Sequence, residues 1–405
     1  MKVLISAYAC EPGKGSEPGV GWNWSLAAAR DNEVWVLTRA NNRETIEAEL
    51  KRRPQPTLHF VYVDLPPWAR RWKRGRRGVR LYYSLWQVAA LREAKRLHAK
   101  IHFDLVHHVT FANAWLPALV GFVDAPFVVG PVDAGLSVPA RFYREFGVRG
   151  VLAEWKAESV RLLGRTNPVV RRGLRRARLI IAQNDESAAR LRSLARPVIV
   201  RPNAAVDLEP LLAARQAAGP VRDQSAIVAG RLVAWKGVPL AIRAIALLPD
   251  WTLEIVGSGP DEPRLRRLAN NLGVAHRVAF IPWLPQRGLW QRIAESSVVV
   301  VSSVRDAANL VAAEAATLGV PVVALDQGGP RVLARMSLGA ITLVGRGSSE
   351  AAILGIADAL ASCRRTPQAG VDAFSVERVA DSLAEFYSLA VAPTHRIREV
   401  APING

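Results

Sequence analysis

Two cations on one short loop suggest phosphate chemistry. GRLVAWKG (230–237) carries Arg231 and Lys236 between a strand-like run and a helix-like run. A guanidinium grips phosphate oxygens with a planar fork, and an ammonium adds a compact charge. Together they suit a diphosphate leaving group, with no metal needed. Further along, SSVRDAANLVAAEAATLGVPVV (302–323) sets Asp306 in a loop after a strand and Glu314 inside the helix that follows. The amides of Ala307, Ala308, Asn309 and Leu310 stand at that helix's N-terminus, where unpaired N–H groups and the helix dipole favour anions. Glu314 sits amid Val311, Ala312, Ala313, Ala315 and Ala316. A carboxylate in such apolar company has a designated partner, and paired ribose hydroxyls fit one. A third loop, GKGSEPGVGW (13–22), has Gly13, Gly15, Gly19 and Gly21, which allow the backbone close to a ligand. Their spacing is not the G-x-G-x-x-G of dinucleotide sites.

Alternating strands and helices must hold these loops in place. Runs at 2–8, 33–38, 58–64, 104–109, 126–130, 179–183 and 198–201 read as strands, and 19–30, 78–100 and a stretch from 185 as helices. In 78–100, Val79, Tyr82, Tyr83, Trp86 and Ala90 share one face. Residues 202–224, rich in Ala, Pro and short polar residues, read as a linker. A second alternation has strands at 226–229, 251–256, 278–281, 297–301 and 320–325. Its helices are at 238–248, 262–272, 310–318, 350–362 and 376–391. Two successive doubly wound α/β domains follow, 1–201 and 225–391, with the last helix able to pack back on the first domain. Residues 392–405 read as a weakly ordered tail.

A chain of 405 residues is too long for one ordinary core. Half its residues are hydrophobic and 22% are charged, as in soluble globular proteins. No apolar run reaches the ~18 residues of a membrane-spanning helix. Cys10 and Cys363, far apart, make neither a disulfide framework nor a metal cluster; no metal or other cofactor is expected. The opening MKVLISAYAC reads as a first strand rather than a signal peptide, because Glu11 follows at once. A cytoplasmic location is expected. The net charge of +19 points to anionic partners. No helix-turn-helix, zinc or RNA-binding signature accompanies it, so nucleic acid is not expected.

At these residues the sequence resembles the GT-B retaining glycosyltransferases of family 4, a group with many bacterial polysaccharide enzymes. The match rests on Gly230, Arg231, Lys236 and Gly237, and on Asp306 and Glu314 in place of two glutamates at that spacing. It extends to LISAYACEPGKGSEPGVGWNW (4–24), FDLVHHVTFANAW (103–115) and LDQGGP (325–330). The resemblance implies two Rossmann-like domains with parallel sheets facing a central cleft. It also implies a nucleotide-diphosphate sugar as donor and transfer with retention of configuration. It assigns the donor diphosphate to Arg231 and Lys236, the ribose to Glu314, and hydroxyls of the transferred sugar to Asp306. Gly19 and Gly21 would let the first domain close over the phosphates. A histidine, either His107 or His108, would face the reacting sugar; neighbouring strand residues point to opposite faces, so only one is expected to. Where the family often has a glycine after the first acid, this chain has Ala307, Ala308 and Asn309. PVDAG (131–135) replaces a more glycine-rich loop.

RRWKRGRRGVR (70–80) contains Arg70, Arg71, Trp72, Lys73, Arg74, Arg76, Arg77 and no acid, and 161–178 is a second acid-free basic run. Cations beside Tyr82, Tyr83 and Trp86 suit an anionic membrane surface. The expected acceptor is a lipid-linked saccharide or oligosaccharide, at the inner face of the cytoplasmic membrane. The rival readings are a nucleotide-sugar epimerase, a catalytically inactive scaffold and a nucleic-acid-binding protein.

Overall fold

The computed structural model describes residues 1–66, 78–345, 347–363, 365 and 370–393. These fall into two compact units. One gathers the described residues of Met1–Gly135, Val160–Ala205 and those from Val376 on; the other gathers Leu136–Ser159 and Val206–Ser375.

The first unit is built on β1 (Lys2–Ser6), β2 (Glu33–Thr38), β3 (Leu58–Tyr62), β4 (Leu105–His108), β5 (Phe127–Val132), β6 (Leu179–Ala182) and β7 (Val198–Val200). All pairs are parallel, in the order β3-β2-β1-β4-β5-β6-β7. The second has β8 (Ser225–Ala229), β9 (Thr252–Val256), β10 (Val278–Ile281), β11 (Val298–Val301), β12 (Val322–Leu325) and β13 (Ile341–Val344), ordered β10-β9-β8-β11-β12-β13 and again parallel. Winding reverses between β1 and β4 and between β8 and β11. Ligands of open α/β sheets bind beyond the strands' carboxyl ends at such reversals. The VVVV of β11 and the LIIA of β6 are buried at every residue, as strands covered on both faces by helices must be.

In chain order the helices are α1 (Ser16–Ala29), α2 (Arg43–Arg52), α3 (Val79–Ile101), α4 (Gly147–Thr166), α5 (Pro168–Arg175), α6 (Asp185–Leu191), α7 (Leu208–Gln216), α8 (Val238–Ala246), α9 (Glu262–Asn271), α10 (Gln286–Ala294), α11 (Leu310–Thr317), α12 (Gly328–Met336), α13 (Ser349–Ser362) and α14 (Val376–Val391). Side-chain oxygens of Asn167, Asn184, Asn309 and Ser348 accept amide N–H groups at the starts of α5, α6, α11 and α13, satisfying donors that have no partner in the helix. α14 joins the first unit, packing on α1 with Tyr387 fully buried.

The structure corrects the sequence reading in places. The stretch read as a linker carries α7, whose buried Leu211 and Ala214 face α10; its apolar spacing is too short for composition to reveal. α2, α4, α5, α10, α12 and β13 are further elements absent from the sequence reading. Tyr82, Tyr83 and Trp86 belong to the first unit's core, 2%, 0% and 0% exposed, and so do not present aromatic rings to a membrane. Tyr82 donates to Asp64, and the Trp86 indole donates to the Val63 carbonyl at 2.8 Å. Arg70, Arg71, Trp72, Lys73, Arg74, Arg76 and Arg77 lie outside the described residues, as does the tail from 394.

Candidate active site

In the second unit, two loops meet at the reversal between β8 and β11. Gly237, at φ +62°, opens α8, and a side chain there would meet the Ser302 carbonyl oxygen at 2.1 Å. Glycine thus lets the 230–237 loop lie flat on the loop after β11. Ser302 Oγ donates to the Lys236 carbonyl at 3.1 Å, and the Val304 N–H donates to the Trp235 carbonyl at 3.0 Å. Across this seam the Lys236 ammonium reaches Asp306 Oδ2 at 2.6 Å, and Asn309 Nδ2 donates to the same oxygen at 2.8 Å. A small pocket beside them is lined by Gly230, Arg231, Lys236, Ser302, Ser303 and Asn309.

Asn309 does two jobs. Its backbone adopts φ +76° and its Oδ1 accepts the Ala312 N–H at 2.9 Å, which caps α11. Its Nδ2 holds Asp306. The 306–308 loop that carries no glycine is accommodated from the other side. A side chain at Gly328 would meet the Asp306 carbonyl oxygen at 2.4 Å, and one at Gly329 would meet Ala308 Cα at 2.3 Å. The Gly329 N–H donates to the Asp306 carbonyl at 2.9 Å, and Gln327 Nε2 donates to the Ser303 carbonyl at 3.0 Å. LDQGGP is therefore the floor on which the Asp306 loop rests.

Glu314 is 6% exposed on the first turns of α11. Gln286, at the start of α10, donates from Nε2 to Glu314 Oε1 at 2.7 Å. Burial pushes this carboxyl up to about 7, against the opposing pull of the Gln286 amide. Gln286 was missed in the sequence, where nothing marks the residue that opens α10 as a neighbour of α11. The second unit thus brings together Arg231, Lys236, Ala307, Ala308, Asn309, Leu310, Asp306 and Glu314 around one strand reversal. That set can bind anionic oxygens on its cations and take hydroxyl hydrogens on its carboxylates.

The first unit treats its expected residues differently. Gly19 and Gly21 are buried in α1; side chains there would meet the Lys14 carbonyl oxygen and the Ala9 carbonyl oxygen, each at 2.0 Å. Both glycines serve close packing of α1 on the loop after β1. His107 and His108 lie in β4, opposite Ile5 and Ser6 of β1, and both are 0% exposed. Their rings point to opposite sides. His107 pairs with the Tyr387 hydroxyl at 2.8 Å and the Gly130 carbonyl at 2.9 Å, and His108 with the Tyr83 hydroxyl at 3.0 Å and Ser6 Oγ at 3.1 Å. Burial lowers His107 to about 4 and His108 to about 3, so both are neutral at pH 7. Neither ring has surface to offer a substrate, contrary to the expectation that one would face it. A residue the sequence reading passed over, Glu17, stands at the start of α1; it accepts the Phe111 N–H at 2.9 Å, and burial raises its carboxyl above the ordinary range.

Among the described residues no group of three or more His, Cys, Asp or Glu is placed to hold a metal. No helix among them is long and apolar enough to cross a membrane.

Two Rossmann-like units, each a parallel sheet wound in both directions, define the GT-B glycosyltransferase fold. Residues 214–368 match the family described as Glycosyl transferases group 1. The chain is 30% identical over 342 residues to the D-inositol 3-phosphate glycosyltransferase of Mycolicibacterium vanbaalenii, covering 77% of this chain and 72% of that one. It is 35% identical over 234 residues to the protein of that name from Mycobacteroides abscessus, covering 53% of this chain and 52% of its relative. Sucrose-phosphate synthase of Thermosynechococcus elongatus superposes with a TM-score of 0.68 at 21% identity, over 96% of this chain and 98% of that structure. The chain belongs to the group 1 glycosyl transferases.

Proposed function

We propose that this glycosyltransferase takes a hexose from a nucleoside diphosphate sugar held in the second unit, and transfers it with retention in the manner of family 4. The observation that carries this reading is the seam where Lys236 and Asp306 meet beside Arg231, with the buried Glu314 on the adjoining helix. Arg231 and Lys236 take the diphosphate, assisted by the start of α11. Glu314 accepts the ribose hydroxyls, exchanging its bond from Gln286 for them. Asp306 takes hydrogen bonds from hydroxyls of the transferred sugar.

Negative charge grows on the diphosphate as the bond to the sugar's anomeric carbon breaks. Fixed cations stabilise that charge with little rearrangement. The acceptor hydroxyl attacks from the same face that the diphosphate leaves, and a phosphate oxygen takes its proton. No carboxylate is placed as a nucleophile in this scheme, so no covalent sugar–protein intermediate forms. No metal enters the mechanism.

The acceptor is a lipid-linked saccharide at a membrane surface, in assembly of a cell-surface polysaccharide or glycolipid. Basic stretches at 70–80 and 161–178 support an anionic surface nearby. The mycobacterial relatives are named for transfer to D-inositol 3-phosphate, which makes that compound the soluble acceptor to test beside it.

Thermal unfolding against a panel of nucleoside diphosphates and their sugars tests the donor site. One nucleotide family should raise the melting temperature, and Glu314→Ala and Lys236→Ala should each abolish that rise. A folded protein that no nucleotide stabilises overturns the reading.

A further inference from the structure

Along α4 an apolar face is turned outward. Val148, Leu152 and Trp155, on the part of α4 that belongs to the second unit, are 78%, 59% and 62% exposed. At helical spacing these positions fall within an arc of about 60°. Scattered apolar residues are ordinary on a protein surface, whereas a continuous stripe marks a contact. Exposed Arg149 and Lys156 border the stripe. The helix's acids face elsewhere: Glu154 is buried in an ion pair with Arg305, and Glu158 is half-buried and engaged. The outward surface of the helix over 148–156 is thus apolar and positive.

The geometry points to α4 as an amphipathic helix that lies in the headgroup region of an anionic lipid bilayer. Val148 and Leu152 enter the acyl boundary, Trp155 sits at the interface where its ring is apolar and its N–H stays wet, and Arg149 and Lys156 meet lipid phosphates. A second copy of the chain is a poor occupant, because self-contact would set the same cations against each other on a molecule of net charge +19. The inference deepens the proposed lipid-linked acceptor, yet bilayer binding is measurable without any acceptor.

The test is sedimentation of the full chain with phosphatidylglycerol-containing vesicles and with pure phosphatidylcholine vesicles. The wild type should partition to the anionic vesicles. Arg149→Glu with Lys156→Glu should weaken that by at least about fivefold per cation, and Leu152→Gln with Trp155→Gln by more than about tenfold. Nucleotide-dependent thermal stabilisation, run alongside, should survive in both double variants. If it does while the wild type ignores anionic vesicles, the membrane helix is wrong and the donor reading stands. Vesicle binding untouched by either variant, or concentration-dependent self-association that shields Trp155 without lipid, also overturns it. Should the apolar variant fail to fold, the charge variant, confined to the surface, decides the question.

Discussion

A proton that the folded chain keeps on Glu314 up to a pH of about 7 is released by the unfolded chain near the ordinary value of about 4.3. The folded state therefore binds the extra proton between those values, and stability falls as pH climbs through that window. Above it the whole cost is present. Glu314→Gln removes the ionisation and should stabilise the protein at pH 8 by about 1–3 kcal/mol, read from urea unfolding. The same variant should lose stabilisation by nucleoside diphosphates. In the wild type, nucleotide affinity should rise from pH 6 to 8 as the carboxylate forms, and the variant should show no such rise. Asn309 allows a second separation. Asn309→Gly keeps the positive φ and forfeits the cap, a change of only a few tenths of a kcal/mol. It also frees Asp306 from its amide, so kcat should drop about ten- to hundredfold with the melting temperature nearly unchanged. An equal loss of both would show that Asn309 acts only on the fold.

Single elements explain what the cluster of residues cannot. Gly329 touches no substrate in the scheme above, yet Gly329→Ala drives a methyl group into Ala308 and must displace the Asp306 loop; nucleotide stabilisation should fall sharply, at about 1–3 kcal/mol in stability. β4 carries a different dependence. His107 and His108 are neutral when folded and take up protons when unfolded, so the stability they give is complete above pH 6.5 and is lost as pH falls toward 4 and 3. Urea midpoints should drop steeply between pH 6.5 and 4. His107→Ala, which strands the Tyr387 hydroxyl and the Gly130 carbonyl, should cost about 2–4 kcal/mol while kcat per folded molecule holds. At this scale the sequence was legible where apolar runs are compact: 33–38 was read as the strand that β2 is. It was opaque where α12 opens on Gly-Gly-Pro, residues that signal a turn, and where α4 turns its apolar residues outward. In the site, Arg231, Lys236, Asp306 and Glu314 stood out because charge beside buried strands needs a reason. Gln286 and the burial of the histidines depend on contacts distant in sequence, which no local pattern carries.

On the scale of the whole molecule, neither unit is a continuous piece of chain. The second unit's core includes Val138, Phe142 and Phe146, and Glu154 pairs with its Arg305; Val138, Phe142, Phe146 and Glu154 all come from a segment that precedes β6. A fragment 206–375 should therefore melt lower than the same fragment fused to 136–159, and calorimetry of the two measures the difference. Removing everything beyond 375 deprives β4 of Tyr387, and the shortened chain should be recovered poorly in soluble form. The positive charge belongs to this scale as well: attraction to any polyanion will fade with salt, whereas contact through the apolar face of α4 will persist.

The bond between His107 and Tyr387 spans 280 residues. At roughly 5–20 residues per second, a ribosome that has finished β4 works on for about 15–60 s before α14 leaves the exit tunnel. For that interval the first sheet is laid down with one flank bare and a buried-type imidazole facing solvent, while the segments of the second unit are already complete. The unit begun first thus closes last. Chaperones that hold nascent chains should bind it in the meantime, and arrested chains ending just before 376 should be retained by them longer than chains that extend past α14.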